Sequence, residues 1–334
     1  MGWDDVYGHD EAKRLLRGHL ASGEIPGAYL LIGPEGVGKR QLALEMAKAL
    51  NCTGASSVRP PGPPGAFPEA GCDACPTCAQ IAKGTHPDVH RLIPSGASEQ
   101  IKIDDVRQLL GRLALRPFNA AIQVALIDGA DRLTEEAANA LLKALEEPSG
   151  RARFLLTTSR PADCLPTVVS RCQLIRCGPL SNEVVVRLLS DVHGCDRRTA
   201  EAAARVSGGS VSKALDLAGR WESYERTLDR LALRRPAEWL EQAMPETREE
   251  VAQLLEEMTA WLRDVAMAAA GAPEHILHAA HGAAVQEQAA MVDVDRCVAT
   301  AFELLALRES LEQFVSPRLV ASLAREKWLS LPGI

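Results

Sequence analysis

Residues Ala28 to Leu50 read AYLLIGPEGVGKRQLALEMAKAL: a short apolar run, a glycine-rich turn, then a helical pattern from Lys39 onward. Strand, turn and helix in this order is the context that lifts a phosphate-loop match above chance. In such a loop successive backbone N–H groups and a helix N-terminus converge on phosphate, and a lysine adds positive charge. Gly33, Gly36, Gly38 and Lys39 keep that equipment. The next residue is ordinarily a Ser or Thr whose hydroxyl goes to Mg²⁺. Here it is Arg40, which cannot coordinate a cation.

Working outward, further strand candidates lie at Val89–Ile93, Ile122–Asp128, Phe154–Thr158 and Leu174–Cys177, with helical segments around Ile103–Leu113 and Glu135–Glu147 between them. Such alternation implies an α/β domain, a parallel sheet with helices on both faces. In the second helix Ala138, Leu141, Leu142 and Leu145 share a face, Thr134 suits the N-cap and Pro148 stops the chain.

The strand IQVALID ends in Asp128, the position where a nucleotide hydrolase places an acid for magnesium. Gly129 follows where a glutamate would activate water, so no side chain is present to act as base. Two independent parts needed for hydrolysis are missing, while the phosphate loop is formed. Binding of ATP or ADP at this degenerate site stays open. Asp131 is a candidate displaced base, but is expected to face solvent before the Thr134 cap.

Cys72, Cys75 and Cys78 follow one another at two-residue intervals, and Cys52 sits just after the phosphate-loop helix. Four thiolates close the tetrahedral shell of a structural Zn²⁺. His86 competes with Cys52 as fourth ligand. Between Cys52 and Cys72 runs the Pro/Gly-rich stretch RPPGPPGAFPEAG, read as an insertion. His86 and His90 otherwise read as structural, and Cys164, Cys172, Cys177, Cys195 and Cys297 as mostly core residues.

After about Gly178 strand signals cease. Short helical segments run to about Gly219, and helices continue to the end, one opening at Ser316-Pro317. A chain of 334 residues exceeds the roughly 250 that one core sustains, so several domains are expected. They are an α/β domain at 1–178 with the zinc module at about 52–78, a helical lid at 179–219 and an all-α bundle at 220–334. The formal net charge of -7 lacks the basic excess of nonspecific nucleic-acid binding. Lysines, arginines and aromatics are not interleaved with Cys72–Cys78, which counts against direct DNA reading by that module. No apolar run of about 18 residues suits a membrane span, and the start lacks a signal-peptide pattern. A cytoplasmic location is the expectation.

Taken together, VYGHDEAKRLL, IPGAYLLIGPEGVGK, the four cysteines, GTHPDVH, LTEEAANALLKALEEPS, FLLTTSRPADCLPTVVSRC and SPRLVASLA resemble the clamp-loader branch of the AAA+ ATPases. Within that branch the resemblance is greatest to the delta-prime family of bacterial DNA polymerase III loader subunits. It implies an AAA+ domain, a lid and an oligomerisation collar in a hetero-pentamer with tau/gamma and delta subunits, loading a sliding clamp onto primed DNA. It also implies that Arg171, in Ser170-Arg171-Cys172, enters the ATP site of a neighbouring subunit as an arginine finger in trans. Thr157 or Thr158 falls at one sensor position, and Ser212, beside Lys213, where active relatives carry a sensor arginine. With Arg40, Gly129 and Ser212 in place, no ATPase or polymerase activity of the chain's own is expected. The competing reading is an ATP-hydrolysing motor subunit of the tau/gamma type.

Overall fold

The structure is a computed structural model that describes residues 2–3, 6–54, 67–96, 99–148, 151–233, 244–312 and 315–331. Most of the Pro/Gly-rich stretch, residues 59–66, lies outside them. The chain divides into two compact units: Met1–Gly194 with Ser207–Ala214, and Cys195–Val206 with Leu215–Ile334.

The first unit begins with helix α1 (Asp10–Ser22), strand β1 (Ala28–Ile32), α2 (Lys39–Asn51), α3 (Pro76–Lys83), β2 (Val89–Leu92) and α4 (Ile103–Leu113). It continues with β3 (Gln123–Asp128), α5 (Glu135–Glu146), β4 (Ala152–Thr158), α6 (Pro166–Val169), β5 (Gln173–Arg176) and α7 (Asn182–Arg187). All five strands are parallel, in the order β2-β3-β4-β1-β5. This is the α/β architecture, a parallel sheet flanked by helices, expected from the alternation of strand and helix signals.

Alternation along the strands builds a core on each face of the sheet. Tyr29 and Leu31 of β1, Val124 and Leu126 of β3 and Leu155 of β4 pack with α1 and α2 on one side. Leu30, Ala125, Ile127, Phe154 and Leu156 pack with α4, α5 and α6 on the other. Each fully buried large side chain among them contributes about 1.5–3 kcal/mol. Asn51, at the end of α2, exchanges two hydrogen bonds with the backbone of Ile122, at 2.9 and 3.0 Å, and so fixes α2 against the start of β3.

Strand β4 begins two residues before the apolar run that announced it, because Ala152 and Arg153 already pair with Gln123 and Val124. The charge of Arg153 had masked that start. Thr134 caps α5 by accepting from the Ala137 N–H at 3.3 Å, as its spacing predicts. Helix α3 is an addition: it opens on Pro76 inside the cysteine run and ends at Gly84, with φ 70°.

Asp88, only 3% exposed, accepts from the N–H groups of Phe118, Asn119 and Ala120, each at 2.8 Å. It thereby fixes a turn on which Phe118 is 78% exposed. Burial opposes ionisation of Asp88, but the three donors outweigh it and hold the carboxyl below its usual range. A carboxyl depressed on folding stabilises above its unfolded pKa, near 4, and loses that contribution as pH falls through the folded value. Asp88→Ala is expected to cost about 3 kcal/mol at neutral pH by orphaning those donors, with the deficit shrinking below about pH 4, in denaturant titrations across pH.

The second unit is helical: α8 (Arg197–Val206), part of α9 (Val211–Gly219), α10 (Trp221–Leu231), α11 (Arg248–Ala269), α12 (Gly282–Ala289), α13 (Val294–Glu312) and α14 (Pro317–Leu329). Helix α11 is central, packing on α10, α12, α13 and α14. Its stripe Val251, Leu255, Met258, Leu262, Val265 is buried at alternating steps of four and three. Thr247 and Glu250 form its capping box. Asp264 is fully buried and accepts from His278 Nδ1 at 2.8 Å, and His278 Nε2 meets the Tyr224 hydroxyl at 2.6 Å. Polar groups satisfied in this way favour one arrangement of the helices over sliding alternatives. No described helix is long and apolar enough to cross a membrane.

Candidate functional site

The phosphate loop leaves β1, and Asp128 ends β3; β4 lies between these strands, so Thr157 and Thr158 at its end stand between them. Ligands of open parallel sheets bind at this edge, beyond the carboxyl ends of the strands. Gly36 has φ 72°, and a Cβ there would collide with the hydroxyls of Ser212 and Ser210. The Val211 N–H donates to the Gly36 carbonyl at 2.9 Å, seating the start of α9 on the loop. Lys39 is 8% exposed and donates from Nζ to the carbonyls of Gly33 and Pro34, at 2.7 and 2.6 Å. Burial lowers its pKa against the pull of the acids around it.

Arg40 does more than lack a hydroxyl. Its Nε stands 3.7 Å from Asp128 Oδ2, and the same oxygen has Arg91 Nη2 at 3.5 Å. Asp128 Oδ1 accepts from the Thr157 hydroxyl at 2.6 Å. The acid that would hold magnesium is thus occupied by two guanidinium groups and a hydroxyl. The donor set does not fit Mg²⁺, which demands oxygen ligands in near-ideal octahedral array. The phosphate-cradling part of the loop does fit a polyphosphate, with positive φ at Gly36 and Gly38 and Lys39 beneath them.

Gly129 has φ 85°, a backbone state that a glutamate would adopt only under strain. Asp131 departs from expectation. Its side chain is 5% exposed and accepts from the Thr158 hydroxyl at 2.6 Å, instead of facing solvent. The short helical turn at Ala130–Arg132 rolls it back over the end of β4. The two threonines at candidate sensor positions therefore serve two different acids.

Arg171 follows α6, and its hydrogen-bond partners all lie outside the phosphate loop. Its Nε donates to Glu146 Oε1 at 2.6 Å, its Nη2 donates to the same oxygen, and its Nη1 donates to Thr167 O at 3.0 Å. Its side chain is about one-third exposed. Glu146, at the end of α5, holds a partly accessible cation in a fixed direction.

The sulfurs of Cys52, Cys72, Cys75 and Cys78 lie within 4.8 Å of one another, a group that could hold a metal ion. His86 lies outside that group: it is 5% exposed, and its Nδ1 faces the Asp88 N–H at 3.2 Å. Backbone N–H groups of Cys72, Cys75 and Cys78 donate to Sγ of Cys52, Cys72 and Cys75, at 3.3, 3.3 and 3.4 Å. Such donors favour thiolate. A Cβ at Gly54 would collide with Cys72 Sγ, so the glycine leaves the space that the sulfurs fill. Burial raises the Cys75 thiol, but N–H groups of Cys78 and Thr53 prevail and bring it to about 6. Burial, then the neighbouring sulfurs Cys75 and Cys52, push Cys78 up. Four such thiols cannot all ionise together without a cation among them. Sulfur donors in a closed shell with N–H second partners fit a soft or borderline divalent metal.

The module is tied to α2 by Lys48, which donates to Asp73 at 2.6 Å and to Glu45 at 2.7 Å while 4% exposed. Phe67 and Ala70 pack against the core, and the Trp3 indole donates to Glu69 O. Sequence reasoning overlooked Arg91, Glu146 and Lys48. A charge inside the strand pattern VHRLI and a lysine on the buried side of α2 were the available signals. Cys164, Cys177 and Cys297 are buried, whereas Cys172 and Cys195 are only partly so.

The sequence profile of the family described as "DNA polymerase III, delta subunit" matches residues 8–181, more than half of the chain. DNA polymerase III subunit delta' of Pseudomonas aeruginosa is 38% identical over 204 residues, 60% of this chain and 58% of that protein. The subunit delta' of Bacillus subtilis is 33% identical over 52% of this chain and 48% of its own length. DNA polymerase III subunit tau of Escherichia coli is 33% identical over 64% of this chain and 32% of its own length. The chain thus spans about half the length of the delta' relatives that it matches, and a third of tau. Among solved structures, a DNA polymerase III gamma-subunit-related protein of Thermotoga maritima aligns over 96% of this chain, with TM-score 0.44 and 18% identity.

Proposed function

The chain belongs to the family of DNA polymerase III delta subunits, and from that premise we propose that it serves as a delta-prime-like clamp-loader subunit that does not hydrolyse ATP. The observation that carries this reading is the engagement of Asp128 by Arg40 and Arg91, which removes the magnesium acid from service, with Arg171 still presented by Glu146. In this reading Arg171 completes the ATP site of a neighbouring tau/gamma subunit, where its charge stabilises the transferring phosphoryl group. Residues 1–178 form the nucleotide-binding-like domain, 179–219 the lid and 220–334 the collar that closes a hetero-pentamer with tau/gamma and delta. The assembled ring loads a sliding clamp onto primed DNA in the cytoplasm. The metal at Cys52, Cys72, Cys75 and Cys78 is a structural Zn²⁺, since four thiolates leave no open position for catalysis.

The similarity to tau favours a second reading, an ATP-hydrolysing motor subunit. Arg40 and Gly129 stand against it. Steady-state ATP turnover by the purified full chain discriminates the two. No turnover above the level of a Lys39→Ala control is expected; turnover abolished by Lys39→Ala transfers the assignment to the motor.

A further inference from the structure

We propose that Arg40 and Arg91 replace magnesium at the phosphate loop, so that this chain binds a nucleoside diphosphate or triphosphate without any divalent cation. The inference rests on reading residues 33–39 as a phosphate loop, and it adds the form of the ligand to that reading.

Charge and ligand count at this loop favour an anion over a cation. Arg40 Nε and Arg91 Nη2 approach a single oxygen of Asp128, at 3.7 and 3.5 Å. One carboxylate neutralises one guanidinium, and the second remains surplus. Lys39 supplies a further cation in the same loop, and it is satisfied by neutral carbonyls, not by an acid. Asp131, at the same edge, is engaged by the Thr158 hydroxyl and by Arg132 at 3.9 Å, and with Glu35 of the loop counted, Lys39, Arg40, Arg91 and Arg132 stand against Asp128, Asp131 and Glu35. The groups around the loop therefore hold excess positive charge before any ion arrives. The same crowding is felt by Arg91, whose proton is held less tightly than usual, first through burial and then through Arg40.

A magnesium ion entering here would have to displace the Thr157 hydroxyl or the two guanidinium groups from Asp128, and would then sit beside fixed like charges. A polyphosphate meets the opposite situation. The Arg40 side chain is 53% exposed and sits at the N-terminus of α2, next to Lys39, with room to turn from Asp128 toward an anion. Arg91 then keeps Asp128 neutralised. Lys39 exchanges the carbonyls of Gly33 and Pro34 for phosphate oxygens. The planar guanidinium offers paired N–H donors that match phosphate geometry, and so supplies charge and orientation together.

Calorimetric titration of the full chain with ATP and with ADP, in EDTA and in excess Mg²⁺, tests this. Affinity in EDTA is expected to equal or exceed that in Mg²⁺, because complexation removes charge that the arginines would meet. Arg40→Ser, which restores the hydroxyl, is expected to weaken binding in EDTA by at least about tenfold and to bring back a gain on adding Mg²⁺. Arg91→Gln is expected to weaken binding severalfold in EDTA. Circular dichroism melts check that both variants fold. Binding that requires Mg²⁺, no binding in EDTA at millimolar nucleotide, or an Arg40→Ser variant with unchanged affinity in EDTA would each overturn the proposal. Arg171 lies outside this site, so a loader indifferent to Arg171→Ala, with metal-free binding intact, would remove the finger assignment alone.

Discussion

Replacing Arg171 by alanine is expected to abolish most of the ATP turnover of a reconstituted loader while leaving its assembly intact. An arginine finger is worth about 10³–10⁵ in kcat at the site it serves, so turnover at the neighbouring site should fall by about 10³. The wild-type side chain is poised for such a role. Glu146 takes its Nε and Nη2 edge, Thr167 O takes one Nη1 hydrogen, and about one-third of the side chain is still accessible. Arg171→Lys should be nearly as defective as the alanine variant, because an ammonium cannot bond Glu146 through a planar fork and face a phosphate at once. The readout is turnover per complex with clamp and primed DNA present, alongside gel filtration to show that the subunit is incorporated. Full turnover in an assembled Arg171→Ala complex would reduce the residue to a surface ion pair, for which a loss of no more than about 1 kcal/mol of stability is expected.

Loss of the metal should have the next largest effect. The purified chain is expected to carry about one zinc, and Cys78→Ser close to none, by elemental analysis. Cys78 is completely buried and adjoins the module that places Phe67 and Ala70 against the core and the Trp3 indole on Glu69. Without a cation the four sulfurs repel one another's ionisation, and the module opens. Trp3, 1% exposed in the closed state, should then meet water, shifting the tryptophan emission to the red. The first unfolding transition should fall by about 5–10 °C, several kcal/mol of binding energy being coupled to folding. Because thiols must lose protons to bind, metal affinity should weaken as pH falls. Cys195→Ser, outside the cluster, serves as the control. An unchanged melt after the metal has been stripped would show that the module adds nothing to the stability of the sheet.

Much of this protein could be read along the chain. The run AYLLI, the glycine turn and the helix after it announced β1 and α2 to within a residue, and the segments at Val89, Ile122 and Leu174 became strands at those places. The choice of Cys52 over His86 as the fourth member of the cysteine group was made by the fold, in which α2 ends beside the run, whereas Cys72, Cys75 and Cys78 were grouped by their spacing. These are local properties: strand and helix periods, turn residues and short ligand intervals depend on neighbours a few positions away.

What the sequence could not determine was which distant charges would share a site. Arg91 and Asp128 are 37 positions apart, Arg171 and Glu146 are 25, and Asp131 and Thr158 are 27. Arg91 meets Asp128, and Asp131 meets Thr158, because parallel strands in the order β2-β3-β4-β1-β5 bring their carboxyl ends to one edge, whereas Arg171 and Glu146 meet at the opposite edge, just before β5 and β4 begin. The sequence by itself determined that the phosphate loop lacks its hydroxyl and its base. Only the tertiary structure decided that Arg40 and Arg91 would occupy the acid left behind, because an ion pair forms where strand order places two side chains, and no local period records that placement.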